Sequence, residues 1–349
     1  MTTNTTATIA DNEAAWENYT LDLLARNEWD IKHGTDIAPG TGQRENWAEL
    51  VLRSVLDKTL LLLNPDVPQE YLHQAADEVL SPTSQDAITE NHRIHTILLG
   101  GYRGISYIDA DGQQVNPVIR FLSPDVNKNT YTAVNQVTLR SHGLERRFDV
   151  VCYVNGMPLA FFELKDAASR STPETAYNQL QTYLSEFPLA FRFARILVAS
   201  DGINAQYGTP FTPWNHYAPW NVDDDGRVAD DSVLGEDGQP ADQLDLLVEG
   251  VFNLERFRQL ITDFIAYDQS EDGLAMRIAK PHQYFAVTKA VASTVHAVDS
   301  DGRAGVVWHT QGSGKSMEME LYTAKVMHHP RLANPTVVVV TDRTELDGQ

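Results

Sequence analysis

Residues 146–165, RRFDVVCYVNGMPLAFFELK, constrain this chain more than any other stretch. Two apolar runs flank Asn155-Gly156-Met157 and read as an antiparallel hairpin of core character. Three charged residues interrupt it: Asp149 near its start, and Glu163 and Lys165 at its end. Alternate side chains of a strand share a face, so Glu163 and Lys165 project from the same side. With an odd-length turn, Val154 pairs with Pro158, and counting back brings Asp149 opposite Glu163 on that face. Like charges directly opposite destabilise a ladder. A divalent cation between them turns the repulsion into binding, and Mg²⁺ suits one or two carboxylates together with phosphate oxygens. Lys165 beside them can position a water and stabilise charge on a phosphate. The alternative is a surface hairpin with an incidental Asp and a Glu-Lys pair.

The 349-residue length suits two domains, and the 42% hydrophobic, 21% charged composition is that of a globular chain. A single cysteine, Cys152, excludes an intramolecular disulfide; inside an apolar run it reads as a buried structural thiol. The first twelve residues are polar and lack the pattern of a signal peptide. The longest apolar runs are too short to span a bilayer. The chain therefore reads as cytoplasmic, with no membrane partner. A net charge of −21 argues at first against nucleic acid, but many acids gather in one segment, 222–243, which is expected to be a mobile, solvated loop.

Along the chain, 13–27 and 45–63 read as helices, the second closed by Asn64-Pro65, and a third helical stretch covers 85–99. Strands follow in GISYIDADGQQVNPVIRFL and YTAVNQVTLRS, then the hairpin. Residues 171–187 form a helix capped by Ser171 or Thr172 with Pro173 in its first turn. FARILVASDG is a buried strand. After the acidic segment, 253–269 and 282–298 are helical. This order is α/β.

Residues 304–328, AGVVWHTQGSGKSMEMELYTAKVMH, read as strand, glycine loop and helix. Backbone N–H groups of such a loop cradle phosphates at a helix N-terminus. Lys315 reaches terminal phosphates and the Ser316 hydroxyl holds Mg²⁺. The first position of the usual phosphate-loop pattern is His309 rather than Gly. PTVVVV is a buried strand leading to Thr341, Asp342 and Arg343. Gln179 and Tyr183 stand one turn apart on a single helix face, where they can point to the carboxylates or simply pack. Glu17, on the first helix, can add a third carboxylate.

Asp followed by Glu-x-Lys on the next strand is similar to the core of the PD-(D/E)xK nucleases. Together, NQVTLRS, RRFDVVCYVNGMPLAFFELK, AYNQLQTYLSEFP, ILVASDG, HQYFAVTKAVAST, GVVWHTQGSGKS and VVVVTDRTELDGQ resemble, in order, the restriction or motor subunit of type I restriction–modification enzymes. The resemblance implies a PD-(D/E)xK endonuclease domain over 1–245 and, over 246–349, the start of a RecA-like superfamily 2 helicase motor. It implies Asp149, Glu163 and Lys165 as the nuclease triad, with Gln179 and Tyr183 beside them. Glu17 is the further acid, with Glu13 one turn earlier as the alternative. Gln283 looks like the adenine-contacting glutamine, and Thr310, Gln311, Gly312, Ser313, Gly314, Lys315 and Ser316 like the first helicase motif. Expected cofactors are Mg²⁺ and ATP. Expected partners are duplex DNA and the modification (methyltransferase) and specificity subunits. The Asp-Glu box and second motor lobe of the family are absent, so the chain reads as an N-terminal fragment expected not to hydrolyse ATP alone. A catalytically silent docking module and a stand-alone P-loop NTPase are the competing classes.

Overall fold

The computed structural model describes residues 13–166, 171–230, 233, 235, 238–270 and 273–340. Its first described element is α1 (Glu13–Arg26), which buries Trp16, Leu21 and Leu24. The short polar strand β1 (Asp30–His33) follows. Three helices come next: α2 (Arg53–Leu63), α3 (Gln69–Leu80) and α4 (Ala87–Gly100). A small hairpin of β2 (Tyr107–Ile108) and β3 (Gln114–Val115) leads to β4 (Tyr131–Ser141), β5 (Leu144–Val154) and β6 (Met157–Leu164). Then come α5 (Pro173–Glu186), β7 (Ile196–Ser200), β8 (Ala205–Gly208), α6 (Gln243–Val251) and α7 (Leu254–Asp263). The hairpin β9 (Ile265–Ser270) and β10 (Gly273–Ile278), α8 (Pro281–Val298) and α9 (Lys315–His328) complete the order.

Six strands form one mixed sheet in the order β1-β4-β5-β6-β7-β8. β1 runs parallel to β4 and β6 parallel to β7; the other neighbours are antiparallel. One face packs Val134, Phe148, Val151 and Phe161 against Ala176, Leu180 and Tyr183 of α5. The other packs Val150, Cys152, Phe162 and Val198 against α1, α4, α6 and α7. Covering both faces explains why β6 is apolar from Met157 to Phe162. Full burial of Phe161 and Phe162 stabilises the fold by roughly 2 kcal/mol each. Cys152 is a buried free thiol whose pKa burial pushes up, as its apolar setting predicts.

Several sequence expectations change. The helix of 45–63 starts only at Arg53, because the preceding segment is tied to strands. Leu52 N donates to Gly156 O at 2.8 Å, Arg140 N donates to Trp47 O at 2.9 Å, and the Arg44 guanidinium donates to Thr138 O. The helix of 253–269 ends at Asp263 and turns into β9, and α3, β1 and β8 are additional. The strands expected at 304–308 and 336–340 are not strands. No described strand lies beside them, and Val306, Trp308 and Val340 stand exposed. A parallel strand needs neighbours on both edges to bury such side chains.

The acidic segment is not uniformly loose. Val222 bridges Val228 around a turn, and Asp224 pairs with Arg256 at 2.9 Å. Lys289 Nζ donates to Asp225 O at 2.6 Å. Residues 231, 232, 234, 236 and 237, the centre of that expectation, lie outside the described residues, as do Thr341, Asp342 and Arg343. Packing of the first body also continues beyond residue 245. Leu247, Val248, Phe252 and Phe257 share the core of the sheet, and Trp29 Nε1 donates to Phe252 O at 2.8 Å. No described helix is long and apolar enough to cross a membrane.

The turn between β5 and β6 is packed against the start of α2. Asn155 and Gly156 adopt φ of 53° and 81°, and a Cβ on Gly156 would lie 2.5 Å from Leu52 O. Gly156→Ala therefore combines left-handed strain with a backbone clash, and is expected to destabilise by about 3 kcal/mol. Urea denaturation measures this; a loss below about 1 kcal/mol would show that the turn relaxes freely.

Candidate active site and phosphate loop

The expected meeting of Asp149 and Glu163 occurs by a different route from a three-residue turn. The turn has two residues: Val154 pairs with Met157 and Tyr153 with Pro158. A bulge between Cys152 and Tyr153 then shifts the register, so Cys152 faces Ala160 and Val150 faces Phe162. One further step along this register sets Asp149 opposite Glu163. Here the strands part, and Asp149 Oδ2 accepts the backbone N–H of Leu164 at 2.7 Å. β6 is meanwhile held from its other side, with Glu163 opposite Ala199 of β7 and Lys165 N donating to Ser200 O at 2.9 Å.

Glu163 is fully buried. Its Oε1 accepts from Lys165 Nζ at 2.6 Å, while its Oε2 is buried without a hydrogen-bond partner. Burial and then the Asp149 charge push the Glu163 carboxyl well up, against the pull of Lys165. Burial also raises Asp149 to about 6, opposed by Leu164 N–H and Lys165 and reinforced by Glu17 and Glu13. Burial alone would lower Lys165, but Glu163 and Asp149 outweigh it and its pKa goes up. The cluster concentrates negative charge in a poorly solvated place.

α1 brings both candidate acids. Glu17 is buried, its carboxyl raised by burial and stabilised by the side chains of Gln136 and Asn135. Glu13 is exposed and lies 3.8 Å from Lys165 Nζ. Asn135 and Gln136 of β4 were not singled out from sequence. Gln136 has φ of 52° and interrupts the β4–β5 pairing between Asn135–Val150 and Val137–Phe148, beside Asp149. The sign was present: two adjacent amides break an apolar strand that otherwise alternates.

Tyr183 packs its ring edge-on against Phe148, with centroids 5.4 Å apart, within the α5-side core. Gln179 donates to its hydroxyl. Burial and then the Glu163 charge raise the Tyr183 pKa.

At the phosphate loop, Gly312 and Gly314 take φ of 81° and 86°, and Gly314 precedes the first turn of α9. Lys315 and Ser316 open the helix, while Thr310, Gln311 and Ser313 form the loop. Lys315 Nζ is folded back onto the carbonyls of His309 (3.1 Å) and Thr310 (2.8 Å). Ser313 Oγ is buried without a partner. Gln283 is buried with both ends of its amide engaged. Its Oε1 accepts Lys280 N–H at 2.8 Å, and its Nε2 donates to Ser313 O at 3.1 Å. In this state Gln283 braces the loop, and contact with a base would require exchanging those bonds.

Among known proteins, residues 11–216, more than half of the chain, match the family described as type I restriction enzyme R protein N terminus. Residues 282–349 match the SWI2/SNF2 ATPase family. The chain is 34% identical to the type I restriction enzyme HindI endonuclease subunit of Haemophilus influenzae, over 97% of this chain and 32% of that protein. It is 30% identical to the putative type I restriction enzyme MjaIXP endonuclease subunit of Methanocaldococcus jannaschii, over 95% of this chain and 33% of that one. The chain thus spans about a third of the length of these curated relatives.

The Asp149 carboxyl generates a pH test. Its folded pKa is raised from 3.8 to about 6. The unfolded chain therefore ionises first, and wild type loses stability as pH rises from 3.8 to about 6. Asp149→Asn removes this contribution, while those of the buried Glu163 and Glu17 carboxyls remain. Without divalent ions, the stability difference should move in favour of the variant across that window, as read by denaturant midpoints. A pH-independent difference would mean that Asp149 is solvated. With the carboxylates, the lysine and the matched sequence considered together, the chain belongs to the type I restriction enzyme R protein N-terminal family.

Proposed function

We propose that this chain carries the nuclease site and the nucleotide-binding start of the motor of a type I restriction enzyme. In this reading the sheet body is a PD-(D/E)xK endonuclease acting on duplex DNA. The segment from α8 onward begins a RecA-like, ATP-driven translocase, which moves the boundary between the two from 245 to about 280. The observation that carries the reading is the pairing of half-buried Asp149 with fully buried Glu163, with Glu163 Oε2 unpartnered and Lys165 at 2.6 Å from the other oxygen. A buried carboxylate oxygen without a partner is costly, and a dication offsets it.

The donor set, two carboxylates with an all-oxygen character, fits Mg²⁺. When bound there, Mg²⁺ supplies Lewis-acid polarisation of the scissile phosphate and a more acidic water. Lys165 holds its ammonium beside the attack site, orienting a water and offsetting charge that grows on the phosphate. Glu163 keeps that ammonium in place. The Leu164 N–H fixes the orientation of Asp149. Glu17, positioned by Asn135 and Gln136, is the further acid at the site, and Tyr183 with Gln179 closes the side facing α5. In the loop, Thr310–Ser316 amides would receive ATP phosphates, with the Ser316 hydroxyl as a ligand to Mg²⁺ and Lys315 swung off its own carbonyls. The buried, unpartnered Ser313 Oγ fits such a polar ligand. Specificity and modification subunits would choose the site, so cleavage follows translocation at unspecified positions in the cytoplasm of the host cell.

The test is cleavage of unmodified duplex DNA by the intact assembly with Mg²⁺ and ATP. Glu163→Ala or Lys165→Ala should reduce cleavage by at least about 10³-fold while DNA-stimulated ATP hydrolysis continues. Lys315→Ala should abolish both. Cleavage that persists in Glu163→Ala, together with the absence of Mg²⁺ or Mn²⁺ binding at the carboxylates, would favour a silent docking module. The 349-residue chain by itself should release no phosphate from ATP in response to DNA. Among the described residues the loop has no paired strand on either side, so stimulated turnover would refute that part of the reading.

A further inference from the structure

Three segments that flank the phosphate loop converge on a second kind of site. His282 stands in the first turn of α8, His309 just before the loop, and Glu318 in the first turn of α9. One potential ligand atom from each lies within 4.8 Å of the others. The imidazole rings meet edge to face, with centroids 5.4 Å apart. Glu318 is buried, and its Oε1 lies 2.7 Å from His309 Nδ1. His282 Nε2 lies 2.9 Å from Ser313 O.

We propose that His282, His309 and Glu318 form a binding site for a borderline-soft divalent ion of the zinc class. His282 Nε2, donating to Ser313 O, leaves that ring's Nδ1 with a lone pair for the ion. His309 Nδ1 and Glu318 Oε1, already 2.7 Å apart, would exchange the proton they share for the ion. Two imidazoles and one carboxylate suit Zn²⁺, Co²⁺ or Ni²⁺, whereas Mg²⁺ prefers oxygen donors throughout. Glu318 orients His309 and supplies the charge that the ion offsets; in return, the ion removes the penalty of a carboxylate held out of water. Ligands in a tetrahedral zinc site stand about 3.3 Å apart, as bonds of about 2.0–2.1 Å require, so a modest closing movement completes the site. Water takes the remaining position. Because His309 and Glu318 bracket residues 310–317 and His282 touches the loop carbonyl, the ion would tie both ends of the phosphate loop to α8. The site differs in chemistry from the carboxylate cluster of the sheet and does not depend on the nuclease reading.

The test uses the full chain carrying Asp149→Asn and Glu163→Gln, so that the carboxylate cluster does not compete. Co²⁺ titration should give one saturable equivalent per chain with visible ligand-field bands, displaced by Zn²⁺ and not by excess Mg²⁺. His282→Ala, a change at the partly exposed edge, should weaken binding at least about tenfold, as should His309→Ala and Glu318→Gln. Circular dichroism checks that each variant is folded. Zn²⁺ should also raise the thermal midpoint of the parent chain and leave His282→Ala unmoved. Absence of saturable bands, or equal affinity in folded His282→Ala, overturns the site.

Discussion

The register of β5 against β6 is the constraint on which the rest depends. A two-residue Asn155-Gly156 turn sets Val154 against Met157. Left alone, that register would carry Asp149 one position away from Glu163. The bulge beyond Cys152 supplies the missing residue, and a one-residue shift in a strand exchanges its two faces. The turn is itself anchored from outside. Asn155 Nδ2 donates to Phe121 O at 3.0 Å and to Asn129 Oδ1 at 2.9 Å, while its Oδ1 accepts Thr130 N–H at 2.8 Å. A buried amide with its groups satisfied in this way fixes one geometry. The carboxylates thus inherit their position from a turn at the far end of the hairpin.

Register alone would still leave two acids in contact within a core. What makes the arrangement tolerable is the parting of the strands at Asp149, which lets its carboxylate take the Leu164 N–H instead of a ladder bond. Lys165, one step past the end of β6, reaches back to Glu163. Across the sheet, Gln136 in a left-handed conformation opens β4 at the same level and turns toward Glu17. Three strands therefore depart from regular geometry at one level of the sheet, where polar groups need room. The left-handed backbone of Gln136 costs about 1–3 kcal/mol, and the packed layers on both faces are what hold it.

Much of this was legible in residues. The Glu163 and Lys165 pairing follows from period two, Asp149 joins them through the register of an odd-length turn, and the helices read over 13–27, 171–187 and 282–298 follow from periodicity and caps. The three-residue turn and the absent bulge were compensating errors, since one extra residue in the turn has the same effect on register as one in the strand. The run Met157–Phe162 of β6 is apolar throughout and carries no alternation from which a bulge could be read. Arg53 as the true start of α2 was hidden because hydrogen bonds from Leu52 and Trp47 to distant strands overrode local helix preference. The valines of 304–308 and 337–340 carry strand propensity, but propensity of this kind expresses the fit to neighbouring strands, and none is described beside them.

The same dependence on neighbours explains how the second half is held. With no sheet around it among the described residues, the phosphate loop takes its support from α8, whose Gln283 bonds to Ser313 O and whose N-terminal end is anchored to the first body. Tyr207 of β8 donates to Ala279 O at 2.7 Å, immediately before α8. The acidic turn closes the same joint from the side: Arg256 of α7 holds Asp224, Lys289 of α8 holds the Asp225 carbonyl, and Gly226 sits where a Cβ would meet Phe285 at 2.4 Å. A segment that composition marks as a repelling tether is therefore, over its described beginning, a clasp between the sheet body and α8. Its acids serve two ends: those near α7 and α8 meet cations, and their backbone carbonyls and amides close a tight turn that a longer side chain at Gly226 would block. The path from the buried carboxylates to the phosphate loop thus runs through packed and hydrogen-bonded groups, β6 to β7 to β8 to α8, with no flexible linker needed to join the described elements.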